Sequence, residues 1–141
     1  MHTALRSRAT RLARTLPFAL ALACAAPVQA DDADVAAVGK DRFANYCAAC
    51  HGLDAKGDGP VAFVLKKAPP DLTVLAKNNG GDFPFNKVYD MVDGRGMPGA
   101  HGTREMPVWG GEWKDSSRVG AETEVRGRLL EIIIFLRSVQ Q

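Results

Sequence analysis

The chain has 141 residues, enough for one domain, and 46% of them are hydrophobic and 24% charged, which excludes wholesale disorder. Its 18 Lys and Arg outnumber its 16 Asp and Glu, but four arginines and no acidic residue lie in the first 30 positions. The rest of the chain therefore carries 14 basic and 16 acidic side chains, a net charge of −2. This balance excludes a basic nucleic-acid-binding domain, which needs a surplus of Lys and Arg to neutralise phosphates.

Residues 1–30 have the pattern of a secretory signal peptide. The arginines form a basic start, an apolar run covers residues 16–26, and the small residues of a cleavage site follow at 28–30. We therefore expect cleavage after about Ala30 and export of one domain, residues 31–141. The apolar run is about half of the ~20 residues that a membrane span needs, which disfavours the alternative of an uncleaved anchor. No permanent membrane span is expected in the mature chain.

The exported region begins with a predicted helix. Asp34 is placed to cap it, and it continues through Phe43 to about Cys47. A polar loop rich in glycine, residues 52–59, comes next. Pro60 then starts a short helix, because proline is favoured at the first helical position.

Two more helices are predicted before a long loop. Asp71 is expected to cap a short helix from Leu72 to Lys77, and another helix begins near Asn86 and ends at Gly94. Residues 95–118 are rich in Gly and Pro and have no sustained hydrophobic period, which indicates a long ordered loop.

The last predicted helix extends from about Ala121 to Val139. Its apolar stripe is formed by Val125, Leu129, Ile132, Ile133 and Leu136. No segment shows a convincing strand alternation, so the predicted fold class is all-α. A loop as long as 95–118 is unusual in a compact domain unless something organises it, and a large buried cofactor would do so.

The sequence Cys47-Ala48-Ala49-Cys50-His51 is a C-x-x-C-H motif, typical of covalent c-type haem attachment. On one helical turn the two thiols share a face, and each can form a thioether to the porphyrin. The next residue, His51, then supplies an axial nitrogen to the iron. A zinc site would need a further ligand besides His101, and a thiol-disulfide pair of the thioredoxin type would need a preceding strand; a simple disulfide would leave His51 unexplained.

With this motif, the chain resembles the class I monohaem cytochromes c of the bacterial periplasmic type, over about residues 36–139. Gly39 and Phe43 precede Cys47 at intervals of four, and Met-Pro pairs follow the middle helices. The resemblance implies an all-α fold in which the first and last helices cross at Gly39. It also implies that Ile132, Phe135 and Leu136 pack at that crossing.

The resemblance implies a methionine as the second axial ligand. Met106, in the stretch from His101 to Gly110, occupies the position of the family's ligand, and Met97 is the alternative. His101 would instead give a bis-histidine site of lower potential. A thioether favours ferrous iron and so raises the reduction potential.

The family also implies residues around the haem. The backbone carbonyl of Pro60 is expected to accept the remaining N–H of His51. Trp109 and Trp113 are expected to line the pocket, and an indole N–H, Arg95 or Arg104 to bind a propionate. The remaining residues expected in the core and pocket wall are Phe63, Leu65 and Leu72.

The function that follows from the resemblance is one-electron transfer in the periplasm by a single haem c bound through Cys47 and Cys50. With both axial positions filled, the iron has no open site, so no enzyme activity is expected. Two alternatives stay open: a haem subunit of a larger dehydrogenase or oxidase complex, and a haem enzyme or gas sensor with a labile sixth ligand. Redox proteins are the expected partners, and nucleic acid is not.

Overall fold

The computed structural model describes residues 31–96, 106–114 and 118–141. Within these ranges the chain forms only helices, turns and loops, which confirms the all-α class. The predicted signal peptide and Met97, His101 and Arg104 lie outside the described residues. The α-helices are α1 (Asp32–Tyr46), α2 (Ala48–His51), α3 (Phe85–Asp93), α4 (Trp109–Glu112) and α5 (Ala121–Ser138). Three 3₁₀ turns lie between α2 and α3, at Ala62–Val64, Leu72–Val74 and Lys77–Asn79.

The first and last helices cross at Gly39, as the resemblance predicts. A Cβ atom at Gly39 would lie 1.9 Å from the backbone oxygen of Glu131 and 2.9 Å from Cβ of Phe135, so only glycine allows this approach. The Arg42–Glu131 ion pair adds to the contact between the two helices, as does the hydrogen bond from Arg137 to Asp32 at 2.7 Å. The cost of a helical glycine is thus offset by close packing of two backbones.

The main core lies between α1 and α5. The Phe43 and Phe135 rings are tilted to each other with centroids 5.2 Å apart, a favourable aromatic geometry. The predicted apolar stripe of α5 is confirmed, because its members are buried: Val125, Leu129, Ile132, Ile133 and Leu136. Burial of these apolar side chains supplies the hydrophobic stabilisation of the interface between α1 and α5.

Helix ends follow capping rules, with one correction. Helix α1 is capped by Asp31 rather than Asp34: the Asp31 carboxylate accepts from the amide of Ala33, and Asp34 lies in the first turn, where a negative charge is also favoured. Asp71 caps as predicted and accepts from the amide of Thr73 at 2.8 Å. The helix after it is shorter than predicted, a single 3₁₀ turn followed by a second at Lys77–Asn79. Gly94, with φ of 72°, ends α3 as predicted.

The C-terminal residues tie the short turns to α5. Gln140 donates to the carbonyl of Leu72 at 2.8 Å and accepts from the amide of Ala76 at 2.8 Å. The amide of Gln141 donates to the carbonyl of Thr73 at 2.8 Å. These bonds replace regular secondary structure in holding residues 72–76 in place.

The predicted long loop contains a helix that the sequence did not indicate. Helix α4 is four residues long, lies within the predicted loop 95–118 and contacts both α3 and α5. In the described ranges, no helix combines the length and the apolar character needed to cross a membrane.

Candidate functional site

A cavity of about 500 Å³ lies beside the α1–α5 core and is lined mainly by apolar side chains. Residues of the C-x-x-C-H motif, Met106 and Trp109 all line this cavity. Other apolar lining residues come from the 3₁₀ region, from α3 and from α5: Leu65, Pro69, Leu72, Leu75, Val88, Met91, Val92 and Leu136. Its volume is within the range of sites that hold cofactors.

The motif itself forms one helical turn at the end of α1. The amides of Cys50 and His51 both donate to the carbonyl of Cys47, at 3.1 and 2.9 Å. The side chains of Cys47, Cys50 and His51 all line the cavity, so the turn presents two thiols and an imidazole to one space.

The glycine-rich loop 52–59 packs its backbone against this turn. The amide of Gly57 donates to the carbonyl of His51 at 2.8 Å, and the amide of Gly59 donates to that of Cys50 at 3.1 Å. A Cβ at Gly59 would lie 2.4 Å from the carbonyl oxygen of Ala49, and one at Gly57 would lie 2.3 Å from that of Pro69. The loop therefore needs glycine to bring the motif and the Pro69-Pro70 backbone together.

Pro70, and not the expected Pro60, lines the cavity together with His51. Pro60 is exposed and does not line the cavity. Burial lowers the pKa of His51 below its ordinary value, and the backbone of Pro70 opposes this effect in part. The buried Nδ1 atom makes no hydrogen bond with the described residues.

The chemistry of the thiols does not match a reactive disulfide pair. Cys47 and Cys50 are not bonded to each other. Burial raises the pKa of the Cys47 thiol to about 12, with a smaller contribution from the neighbouring Cys50. Redox-active thiols of the thioredoxin type have lowered pKa values, so the environment of Cys47 favours a neutral thiol. In residues 31–96, 106–114 and 118–141, no three His, Cys, Asp or Glu side chains are grouped to hold a metal ion, so these ranges lend no support to a zinc site.

Met106 lines the same cavity as the motif and packs against the core cluster. The structure therefore brings together His51 and Met106, the two residues predicted as axial ligands. Their role as ligands stays a prediction.

An aromatic cluster adjoins the cavity. Trp109 lines it, whereas Trp113 does not, contrary to expectation. Trp113 instead stacks on Trp109 with ring centroids 4.9 Å apart, and the Tyr46 ring meets both indoles edge-on at 5.6 and 5.3 Å. Helix α4 thus places Trp109 at the cavity, and Trp113, which follows the helix, packs against it.

Charged residues near the site differ from the expectation. Arg95 is paired with Asp93 and Glu122 and does not line the cavity. The charged side chains among the described lining residues are Lys67 and Lys87, which have no distinctive spacing in the sequence. Leu65 and Leu72 line the wall as expected, but Phe63 is 86% exposed and belongs to neither core nor wall.

The described residues fit a haem. They provide an apolar cavity of suitable volume, two unbonded thiols on its surface and a half-buried imidazole whose buried Nδ1 makes no hydrogen bond with the described residues. The family model described as Cytochrome c matches residues 36–115 of the chain, a range that contains the motif, the glycine-rich loop and Met106. No curated protein and no solved structure matches the chain.

Proposed function

The chain belongs to the cytochrome c family, whose cofactor is covalently bound haem c and whose chemistry is electron transfer, and we propose that it is a periplasmic one-electron carrier with His51 and Met106 as axial ligands. The observation that carries the proposal is that the motif and Met106 line one apolar cavity. The haem, when bound, supplies the redox-active iron; the protein supplies attachment, orientation and burial.

Cys47 and Cys50 are the attachment residues, and they lie on the one turn that also carries His51. A neutral imidazole is needed for iron binding, and burial favours the neutral form of His51 by lowering its pKa. The carbonyl of Pro70 is the acceptor that we assign to Nδ1, which fixes the ring plane.

Met106 supplies the remaining ligand. A thioether is a soft, neutral donor, so it favours ferrous iron and gives the centre a high potential. Occupation of both axial positions by protein supports a carrier rather than an enzyme, since no position is left for a substrate.

The periphery of the cavity gives the haem carboxylates two candidate partners. Lys67 and Lys87 line it, and a lysine ammonium pairs with a carboxylate without bidentate geometry. We assign the haem carboxylates to these lysines instead of to Arg95, because the lysines line the cavity and Arg95 does not.

The periplasmic location rests on the basic and apolar pattern of residues 1–30 and on the attachment motif. Redox proteins are the partners of such a carrier, and encounters of this kind are small and weak. A permanent subunit of a larger complex would use the same site in a stable assembly.

The proposal is tested on holoprotein purified from periplasmic extract. We expect a covalent haem c spectrum, a one-electron redox titration, a sulfur-to-iron absorption band at the red end of the ferric spectrum and no carbon monoxide binding to the ferrous form. Rapid carbon monoxide binding would contradict the proposal and favour a sensor or enzyme. Elution of the native protein with a larger assembly would identify it as a subunit of that assembly.

A further inference from the structure

Arg95 connects two helices beside the segment that carries Met106. Its Nη1 and Nη2 atoms donate to the two carboxylate oxygens of Glu122 at 2.8 and 2.9 Å, and its Nε donates to Oδ1 of Asp93 at 2.7 Å. Asp93 is the last residue of α3, and Glu122 lies in the first turn of α5. We call Asp93, Arg95 and Glu122 the arginine clasp. A planar guanidinium bound at both its edges fixes direction as well as distance.

The backbone of α4 rests directly on this clasp. A Cβ atom at Gly110 would lie 1.6 Å from Oδ1 of Asp93 and 2.5 Å from Nε of Arg95. Gly110 is buried and lies four residues after Met106. The adjacent Gly111 differs, because its Cβ would meet only Val108 at an ordinary 3.6 Å. The clasp thus lies against the backbone of the segment 106–114 at Gly110 and not at Gly111.

Other charges reinforce the clasp at the same end of α5. Lys114, two residues after the end of α4, lies 3.7 Å from the Glu122 carboxylate, and Arg126 lies 3.5 Å from it. Asp93 and Arg95 are 16% and 29% exposed, so their interaction is less screened than that of a fully exposed pair. The side chain of Lys114 therefore links the far end of the Met106 segment to the carboxylate that holds Arg95.

The segment has little means of holding its own shape. Helix α4 is one turn long and contains two glycines, and such a short helix is not stable by itself. A methionine ligand has no covalent link to the haem, so its position depends on the segment that carries it. External contacts must fix the segment, and they include packing of Met106 and Trp109 against the core, the edge-on contact of Tyr46 with the indoles, and the arginine clasp.

We propose that the arginine clasp is a positioning device for Met106: it holds the 106–114 segment against α3 and α5, and so keeps the sulfur on the iron. The inference rests on the proposed ligation by Met106. Arg95 and Glu122 act through the backbone at Gly110 and through Lys114, and they do not line the cavity. Weakening the clasp should therefore free the sixth position more often without changing the attachment of the haem.

The test uses ferric holoprotein and the rate at which cyanide replaces the protein ligand. Arg95→Gln and Glu122→Gln each remove one charged partner of the clasp. Gly110→Ala adds a methyl group that would displace the Asp93 carboxylate. Glu124→Gln is the matched charge control, since Glu124 lies in the same turn of α5 but pairs with Arg118 and Arg128. Gly111→Ala is the matched control for added volume. Met106→Leu gives the spectrum without the thioether.

We expect cyanide to bind about three to ten times faster in the three clasp variants than in the parent, as the loss of a charge-assisted, partly exposed pair would allow. The sulfur-to-iron band should fade at a lower temperature than global unfolding. The cyanide binding rates of both controls should match that of the parent. The rate of Arg95→Lys, which keeps the positive charge, should lie between those of the parent and Arg95→Gln.

The inference would be overturned if cyanide bound to the clasp variants at the same rate as to Glu124→Gln and Gly111→Ala. This holds even if the clasp variants keep the sulfur-to-iron band. The same holds if the band is lost only together with global unfolding, because the clasp would then have a general structural role. Should Arg95→Gln fail to fold, the Gly110→Ala and Gly111→Ala pair decides the matter. Retention of the band in Met106→Leu would contradict the proposed ligation itself.

Discussion

The two halves of the molecule are held together in different ways. The α1–α5 crossing is a protein interface, with side chains such as Leu129, Ile132 and Ile133 fully buried and a glycine contact between backbones. On the other side of Phe43, the 3₁₀ turns at Leu72–Val74 and Lys77–Asn79, helix α3 and a four-residue helix line a cavity of about 500 Å³, and a glycine-rich loop packs against the motif turn. The first half has a core of its own; the second is arranged around a space that the cofactor fills.

The difference shows how a small domain can contain so much irregular structure. The turn at Leu72–Val74 and residue Ala76 are fixed by Gln140 and Gln141 at the end of α5. The motif turn is fixed by α1 and by the backbone of the glycine-rich loop. The end of α5 and the end of α1 thus hold the irregular segments to the α1–α5 crossing. The haem attached to Cys47 and Cys50 then fills the cavity between these segments.

Removing the haem should produce the largest effect. A Cys47→Ser/Cys50→Ser variant of the exported chain loses the attachment, and with it the stabilisation that a bound group gives to the native state alone. We expect no cooperative thermal transition near that of the holoprotein, measured by circular dichroism. A transition of similar midpoint and steepness would show that the cavity side is stable without haem.

Phe43 belongs to both halves, since its ring contacts Phe135 and lies 6.4 Å from the ring of His51. Phe43→Ala should lower the free energy of unfolding of the holoprotein by about 3–5 kcal/mol, through lost burial and a cavity. Phe63→Ala is the control, because Phe63 is 86% exposed and its loss should change stability by less than about 0.5 kcal/mol. Equal urea midpoints for the two variants would contradict the assignment of the core.

The crossing alone is tested by adding volume at its closest point. Gly39→Val places a branched side chain against the carbonyl of Glu131 and should cost at least about 1–3 kcal/mol by overpacking. Gly127→Ala is the control on α5, where nothing lies within 4 Å of the added carbon, and it should stabilise by about 0.5–1 kcal/mol. An unchanged denaturation midpoint for Gly39→Val would place the crossing elsewhere.

The smallest expected effect is the pH dependence of the stability that the Arg95–Glu122 pair contributes. The hydrogen bonds from Arg95 lower the pKa of Glu122 to about 2, from an ordinary 4.5. The stabilisation by this carboxylate is therefore complete above about pH 5 and is lost as the pH falls toward 2. The urea midpoint of Glu122→Gln should lie below that of the parent at about pH 6, and the gap should narrow at about pH 3. A constant gap would mean that the ionisation of Glu122 does not matter.

The features that the sequence predicts are local ones. The apolar stripe of α5 and the attachment motif depend on spacing within one element, and the caps at Asp71 and Gly94 depend on one residue each. The start of α1 was misplaced because Asp31 and Asp34 are chemically equivalent caps, and only the folded chain distinguishes them.

Other features depend on contacts between distant residues. Helix α4 has two glycines and one turn, so it leaves no periodic signal. The position of Pro70, and not Pro60, at the cavity depends on how the glycine-rich loop folds back on the motif turn. Arg95 was expected at a propionate, but its partner Glu122 lies 27 positions along the chain, and no sequence pattern joins the two.

The ferric spectrum of Met106→Leu, beside that of Met97→Leu, tests the central claim most directly. Leucine keeps size and apolarity but has no sulfur to bind iron. The account holds that the haem attached to Cys47 and Cys50 is bound at its iron by His51 and Met106. It predicts that Met106→Leu loses the sulfur-to-iron band, has a lower reduction potential and binds cyanide readily. Met97→Leu should resemble the parent in all three respects. Loss of the band with Met97→Leu and its retention with Met106→Leu would contradict the account.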